Sequence, residues 1–85
     1  MNTFKSMAKL ILDIREEKEM SQEIFKNLFD SSKKSQYVSN MERGISSLPV
    51  KYHSIVAKAT GRELEEFKRA YLEDAEINYN RRVEC

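Results

Sequence analysis

Apolar residues recur along the chain at helical spacing. Phe4, Met7, Ala8, Ile11 and Ile14 share one face of a helix, which predicts a first helix over about Thr3 to Lys18. Ser21 suits the cap of a second helix, with Glu23 in its first turn where the helix dipole favours an acid. Its apolar face is Ile24, Phe25, Leu28 and Phe29, a length of about eight residues. Asp30-Ser31-Ser32 breaks the pattern, because these short side chains compete for backbone hydrogen bonds. Ser31 or Ser32 then caps a third helix ending near Arg43, and Gly44 suits the left-handed position just past it. Pro49 belongs in a first turn, where its missing N–H costs nothing. The fourth helix follows with Tyr52, Ile55, Val56 and Ala59 on one face and stops at Gly61. A fifth, over about residues 62–80, opens with acids at 63, 65 and 66 and buries Leu64, Phe67 and Tyr71.

Five helices in 85 residues make one small all-α domain over 1–85 with a modest core. Two glycines and one proline are too few breaks for an all-β chain. A charged fraction of 34%, with no apolar run long enough to span a bilayer, leaves no membrane segment. Met1-Asn2-Thr3-Phe4-Lys5 lacks the features of a secretion signal, and the single Cys85 has no internal disulfide partner. The expectation is a cytoplasmic protein. One Cys and one His cannot build a structural zinc site, so no cofactor or metal is expected.

The near-neutral total charge conceals a pattern. Residues 26–60 carry six cations against two acids, whereas 13–23 carry five acids against two cations and 62–76 six against three. A basic centre between acidic flanks attracts and orients a polyanion.

The third helix carries the chemistry. Its apolar residues are Tyr37, Val38 and Met41, a narrow stripe. Around it lie Lys33, Lys34, Ser35, Gln36, Ser39, Asn40 and Arg43: short hydrogen-bonding groups with cations at both ends. Amides read base edges in the major groove, and cations hold phosphates. Gln36 and Asn40 sit one turn apart on one face. A short helix, a tight polar turn and such a helix together make a helix-turn-helix over about 21–43.

The runs Ile14-Arg15-Glu16-Glu17-Lys18-Glu19-Met20-Ser21-Gln22-Glu23 and Tyr37-Val38-Ser39-Asn40-Met41-Glu42-Arg43-Gly44 resemble the phage-repressor (Cro and xenobiotic-response-element) helix-turn-helix family. Ile55-Val56-Ala57-Lys58-Ala59-Thr60-Gly61 followed by Leu64-Glu65-Glu66-Phe67 is similar to that family's fourth and fifth helices. The resemblance spans about residues 7–72. It implies a lambda-repressor-like bundle with an extended C-terminal helix, and a transcriptional repressor that occupies an operator in double-stranded DNA. It places base contacts at Ser35, Gln36 and Asn40, and phosphate contacts at Gln22, Lys33, Lys34 and Arg43. Val38 and Met41 fall on core positions, and Glu42 with Arg15 on a structural pair. Two departures stand out. Lys26 and Asp30 occupy places where the family usually has Ala and a turn Gly, and the 30–35 turn is about two residues longer, as in peptide-sensing regulators of the Rgg type.

Other chemistry is sparse. Ser31-Ser32-Lys33-Lys34 contains Ser-x-x-Lys but none of the companion motifs that nucleophile needs, and His53 reads as a surface or boundary histidine. Asp74 and Glu76 diverge on a helix and make no metal pair. With no acid–base, nucleophile or metal constellation, the chain is not expected to be an enzyme, nor to take a small-molecule substrate. Leu72, Ala75, Tyr79 and Val83 form a second stripe on the last helix, suited to a homodimer or to folding back on the first helix. Two-fold operators need two-fold proteins, which favours the dimer. The rival function is a protein-interaction module, of antitoxin or inhibitor type, that keeps this fold without binding DNA.

Overall fold

The computed structural model describes residues 3–84, the side chain of Glu84 excepted; Met1, Asn2 and Cys85 with its thiol lie outside the described residues. The elements are α1 (Lys5–Lys18), α2 (Gln22–Asn27), α3 (Gln36–Glu42), a 3-10 turn (Val50–Tyr52), α4 (His53–Thr60) and α5 (Leu64–Glu84). There is no strand among the described residues. One core joins all five helices: Met7, Ile11 and Ile14 of α1, Phe25 of α2, Val38 and Met41 of α3, Val56 and Ala57 of α4, Phe67 and Ala70 of α5, with Leu48 from the loop.

The frame is α1 against α5, running antiparallel. Arg62, just before α5, meets Glu17 at the end of α1 at 3.3 Å. Asn78 Nδ2 donates to the Thr3 carbonyl at the other end at 3.1 Å. Thr3 and Phe4 are not helical. Their N–H groups donate to the Gly44 carbonyl at 3.0 and 3.2 Å, so α1 starts at Lys5 rather than Thr3. No side chain beside the start of α1 caps it. The cap comes from α5: the Asp74 carboxylate, 1% exposed, accepts from Ser6 N at 2.9 Å and Met7 N at 3.0 Å. Gly44 takes φ +76°, the conformation foreseen for it, and its backbone both ends α3 and anchors the N-terminal arm.

Several expectations are corrected by packing. Ser31 and Ser32 do not cap α3; the helix starts four residues after Ser32, whose N–H and hydroxyl turn back to Asp30 Oδ1. Helix α2 is six residues long, and Ile24 points outward at 52% exposure. In α4 the buried residues are His53, Val56, Ala57 and Thr60, whereas Ile55 and Ala59 are exposed. The 3-10 turn ahead of α4 sets its phase, so the inward face starts at His53. That histidine is not a surface residue: it is 4% exposed and bonds the Leu48 carbonyl at 2.9 Å. A carbonyl only accepts, so Nε2 carries the hydrogen. The ring rests between Phe67 and Tyr71, with centroids 5.8 and 5.7 Å away. On α5 only Phe67 of the three expected residues is buried; Leu64 and Tyr71 are exposed, and the helix runs on to Glu84. The inward positions are instead Phe67, Ala70, Asp74 and the half-buried Asn78, which rotates the stripe of Leu72, Ala75, Tyr79 and Val83 away from α1.

Candidate nucleic-acid interface

Three helix ends converge on Glu42. The Arg15 guanidinium, from α1, grips its carboxylate with two N–H groups, Nε to Oε2 and Nη2 to Oε1, the latter at 2.8 Å. Its third arm, Nη1, donates to the Met20 carbonyl at 2.8 Å. Gln22 Nε2, at the first position of α2, reaches Glu42 Oε1 at 3.0 Å. A planar fork matched to a carboxylate fixes orientation as well as distance. Partial burial pushes the Glu42 carboxyl up, but the hydrogen bonds from Arg15 and Gln22 with the Arg15 charge outweigh it and hold the group below its ordinary range. The same hydrogen bond, less the cost of burial, raises Arg15. Arg15 and Glu42 are thus the structural pair expected of them.

Ser21 caps α2 as foreseen, its hydroxyl accepting from Ile24 N at 3.1 Å. Helix α3 sits on this platform with Val38 and Met41 fully buried. Its other side carries the short polar residues. Gln36 is exposed, and its Nε2 donates to Asn40 Oδ1 at 2.9 Å, so the two amides form one coupled unit. Ser35 stands immediately before the helix, half-buried; its carbonyl accepts from Val38 N and Ser39 N, while its hydroxyl makes no cap bond. Lys33, Lys34 and Arg43 are exposed at the two ends of α3, and among the described residues none of them makes an ion pair.

The turn between α2 and α3 is held from both sides. Asp30 Oδ2 accepts from the Tyr52 hydroxyl at 3.1 Å, while Oδ1 takes Ser32. The hydrogen bonds from Ser32 are the main reason the Asp30 carboxyl lies below its ordinary range. Phe29 stacks obliquely on Tyr37 and Tyr52, with centroids 6.1 and 4.9 Å away. Lys33 lies over the Tyr37 ring at 5.3 Å and Lys51 over the Tyr52 ring at 5.1 Å. An aromatic face restrains a lysine without neutralising it. Lys51 therefore extends the cationic edge beyond α3, a residue the sequence pattern did not single out.

The stripe on α5 is separate from this face. Leu72, Tyr79 and Val83 are 52%, 68% and 66% exposed. Leu72 lines a groove together with Val50, Leu64, Lys68 and Tyr71. Among the described residues no three His, Cys, Asp or Glu side chains are placed to hold a metal, and no helix is long and apolar enough to cross a membrane. Compared with protein-family models, with curated proteins and with solved structures, the chain finds no match in any of the three.

Proposed function

We propose that the chain is a sequence-specific regulator of transcription, a repressor acting in the cytoplasm, which binds operator DNA through a helix-turn-helix of phage-repressor type formed by α2, the turn and α3. One observation carries this reading: α3 buries Val38 and Met41 and turns a pair of amides outward between exposed cations that make no ion pair among the described residues. An amide bonds an adenine edge with donor and acceptor together, and the Gln36–Asn40 bond orients both before DNA arrives. Ser35 joins them at the leading edge of the helix. Lys33, Lys34 and Arg43 take phosphates, and Gln22 offers its second amide hydrogen to the backbone while the first stays on Glu42. Occupation of a promoter represses, without cofactor or chemistry.

Selection from random duplexes tests this directly, with enrichment of a two-fold site as the expected result. Gln36→Ala and Asn40→Ala should each weaken the selected site by about 1–3 kcal/mol and spare random duplex. Because the amides are coupled, the double variant should lose less than the sum of the two. Lys34→Ala should weaken every duplex alike and reduce the salt slope by about one unit. Equal loss on all sequences from the amide variants would make them phosphate contacts, and no loss from either would exclude α3 as the reader.

Pairing of two chains through Leu72, Ala75, Tyr79 and Val83 would set two copies of α3 about 34 Å apart, one turn of DNA. Leu72 is half-exposed in the single chain, so Leu72→Glu should leave the helix content intact and give a monomer by sedimentation. A wild type that is already monomeric at high concentration would refute the pairing. The apolar groove beside Leu72 is also the observation that favours the second reading, a protein-interaction module. Tight binding of a protein with no enriched duplex would establish that reading in place of the first.

A further inference from the structure

Among the described residues Lys26 is the one buried lysine, 4% exposed, and it stands on α2 just before the turn that leads to α3. Its ammonium donates to Glu23 Oε2 at 2.7 Å and to the Ser31 carbonyl at 3.2 Å. Its own carbonyl accepts from Phe29 N at 3.2 Å and Asp30 N at 3.0 Å. One residue thus bonds three successive residues of the turn. The pair with Glu23 is lopsided: the lysine side chain is 5% exposed and the carboxylate 57%. An exposed carboxylate is a weak reason to draw a cation out of water. The Ser31 carbonyl is the partner that explains the placement, because it belongs to the segment leading into α3.

We infer that Lys26 is a positioning residue: its buried ammonium tethers the long turn to α2, and so sets where α3 sits and which sequence α3 prefers. The inference rests on the DNA-binding reading above. The physical ground is that a turn of this length has many closed conformations, and loop residues without a fixed partner open readily. The Tyr52–Asp30 bond restrains the turn from the α4 side; Lys26 does so from α2, and the two bonds fall on adjacent residues, 30 and 31. Burying an ammonium is costly, and the cost is met only when its donors are used, which ties a single arrangement of residues 29–31 to a single rotamer of Lys26.

Lys26→Met keeps the stem and removes the charge. Two measurements are needed, one without DNA. In the free protein, amide hydrogen exchange of residues 31–35 should accelerate about tenfold while the α1 and α5 core amides hold their rates. With the selected duplex, affinity should fall about tenfold or more, random-duplex affinity and salt slope staying as in the wild type. Lys26→Arg, whose guanidinium reaches the same acceptors, should restore both. Glu23→Lys changes an exposed side chain and repels the ammonium, so it should accelerate exchange in residues 31–35 of the free protein even if Lys26→Met fails to fold. Unchanged exchange in the turn, or faster exchange with an unchanged preferred site, would overturn the positioning role. Failure of the DNA reading would appear earlier and separately, as a wild type that enriches no duplex, and the positioning role would fall with it.

Discussion

Asp74→Ala is expected to destabilise the domain by about 2–3 kcal/mol, since it leaves the buried Met7 N–H and the part-buried Ser6 N–H at the start of α1 without an acceptor. For a domain of this size that lowers the thermal midpoint by roughly 10–20 °C. The side chain is 1% exposed, so water does not take its place without rearrangement. A carboxylate at a helix N-terminus also gains from the helix dipole, and that gain is lost with it. Asp74→Asn should fall between wild type and alanine, because one carbonyl oxygen remains to accept. Thermal unfolding followed by helical circular dichroism gives both values. A loss below about 0.5 kcal/mol for the alanine variant would mean that α1 is capped by other groups.

Arg15→Met should be of similar size, about 2–3 kcal/mol, because it strands the Glu42 carboxylate in a half-buried site where three helix ends meet. The acid behaviour of the wild type follows from the same pair. Glu42 is held below its ordinary range, so its contribution to stability is complete above the unfolded-state value and is lost as pH falls through the folded one. Asp30 and Glu66, also lowered and half-buried, act in the same direction. Glu42→Gln should therefore be less stable at neutral pH and show a flatter acid limb in denaturant titrations across pH. An acid limb as steep as the wild type's would assign the acid sensitivity to other carboxylates.

The helices were legible in the sequence wherever burial follows a local period. Met7, Ile11 and Ile14 repeat at helical spacing, and Ser21, Gly44 and Gly61 mark ends whose geometry is local. Legibility failed where a distant partner decides. Asp74 looks like one more surface acid on an acidic helix, and only the fold brings it to Ser6 and Met7. His53 goes inside because a 3-10 turn sets the phase of α4, and its polar nitrogen is met by a loop carbonyl. For Lys26 the local companion Glu23, three residues earlier, was the one available signal. In the candidate site, helical spacing placed Gln36 and Asn40 on one face, whereas the Arg15–Glu42 pair, 27 residues apart, was expected from the resemblance and not from spacing. Lys51 was missed because its link to the site runs through a stack of rings, Tyr52 on Phe29 on Tyr37, that no sequence period encodes.

The start of α1 is completed by groups found 40 and more residues further along the chain. Thr3 and Phe4 lean on the carbonyl of Gly44, and Ser6 and Met7 on the carboxylate of Asp74. During synthesis α1 emerges before α5, yet its opening turn stays unsatisfied until Asp74, some 68 residues after Ser6, has followed. Loop closure over that distance must precede the reward, which raises the contact order of an otherwise local, fast-folding architecture. The earlier helix is finished by the later one, and a nascent chain stopped short of Asp74 holds a frayed α1 rather than a folded half-domain.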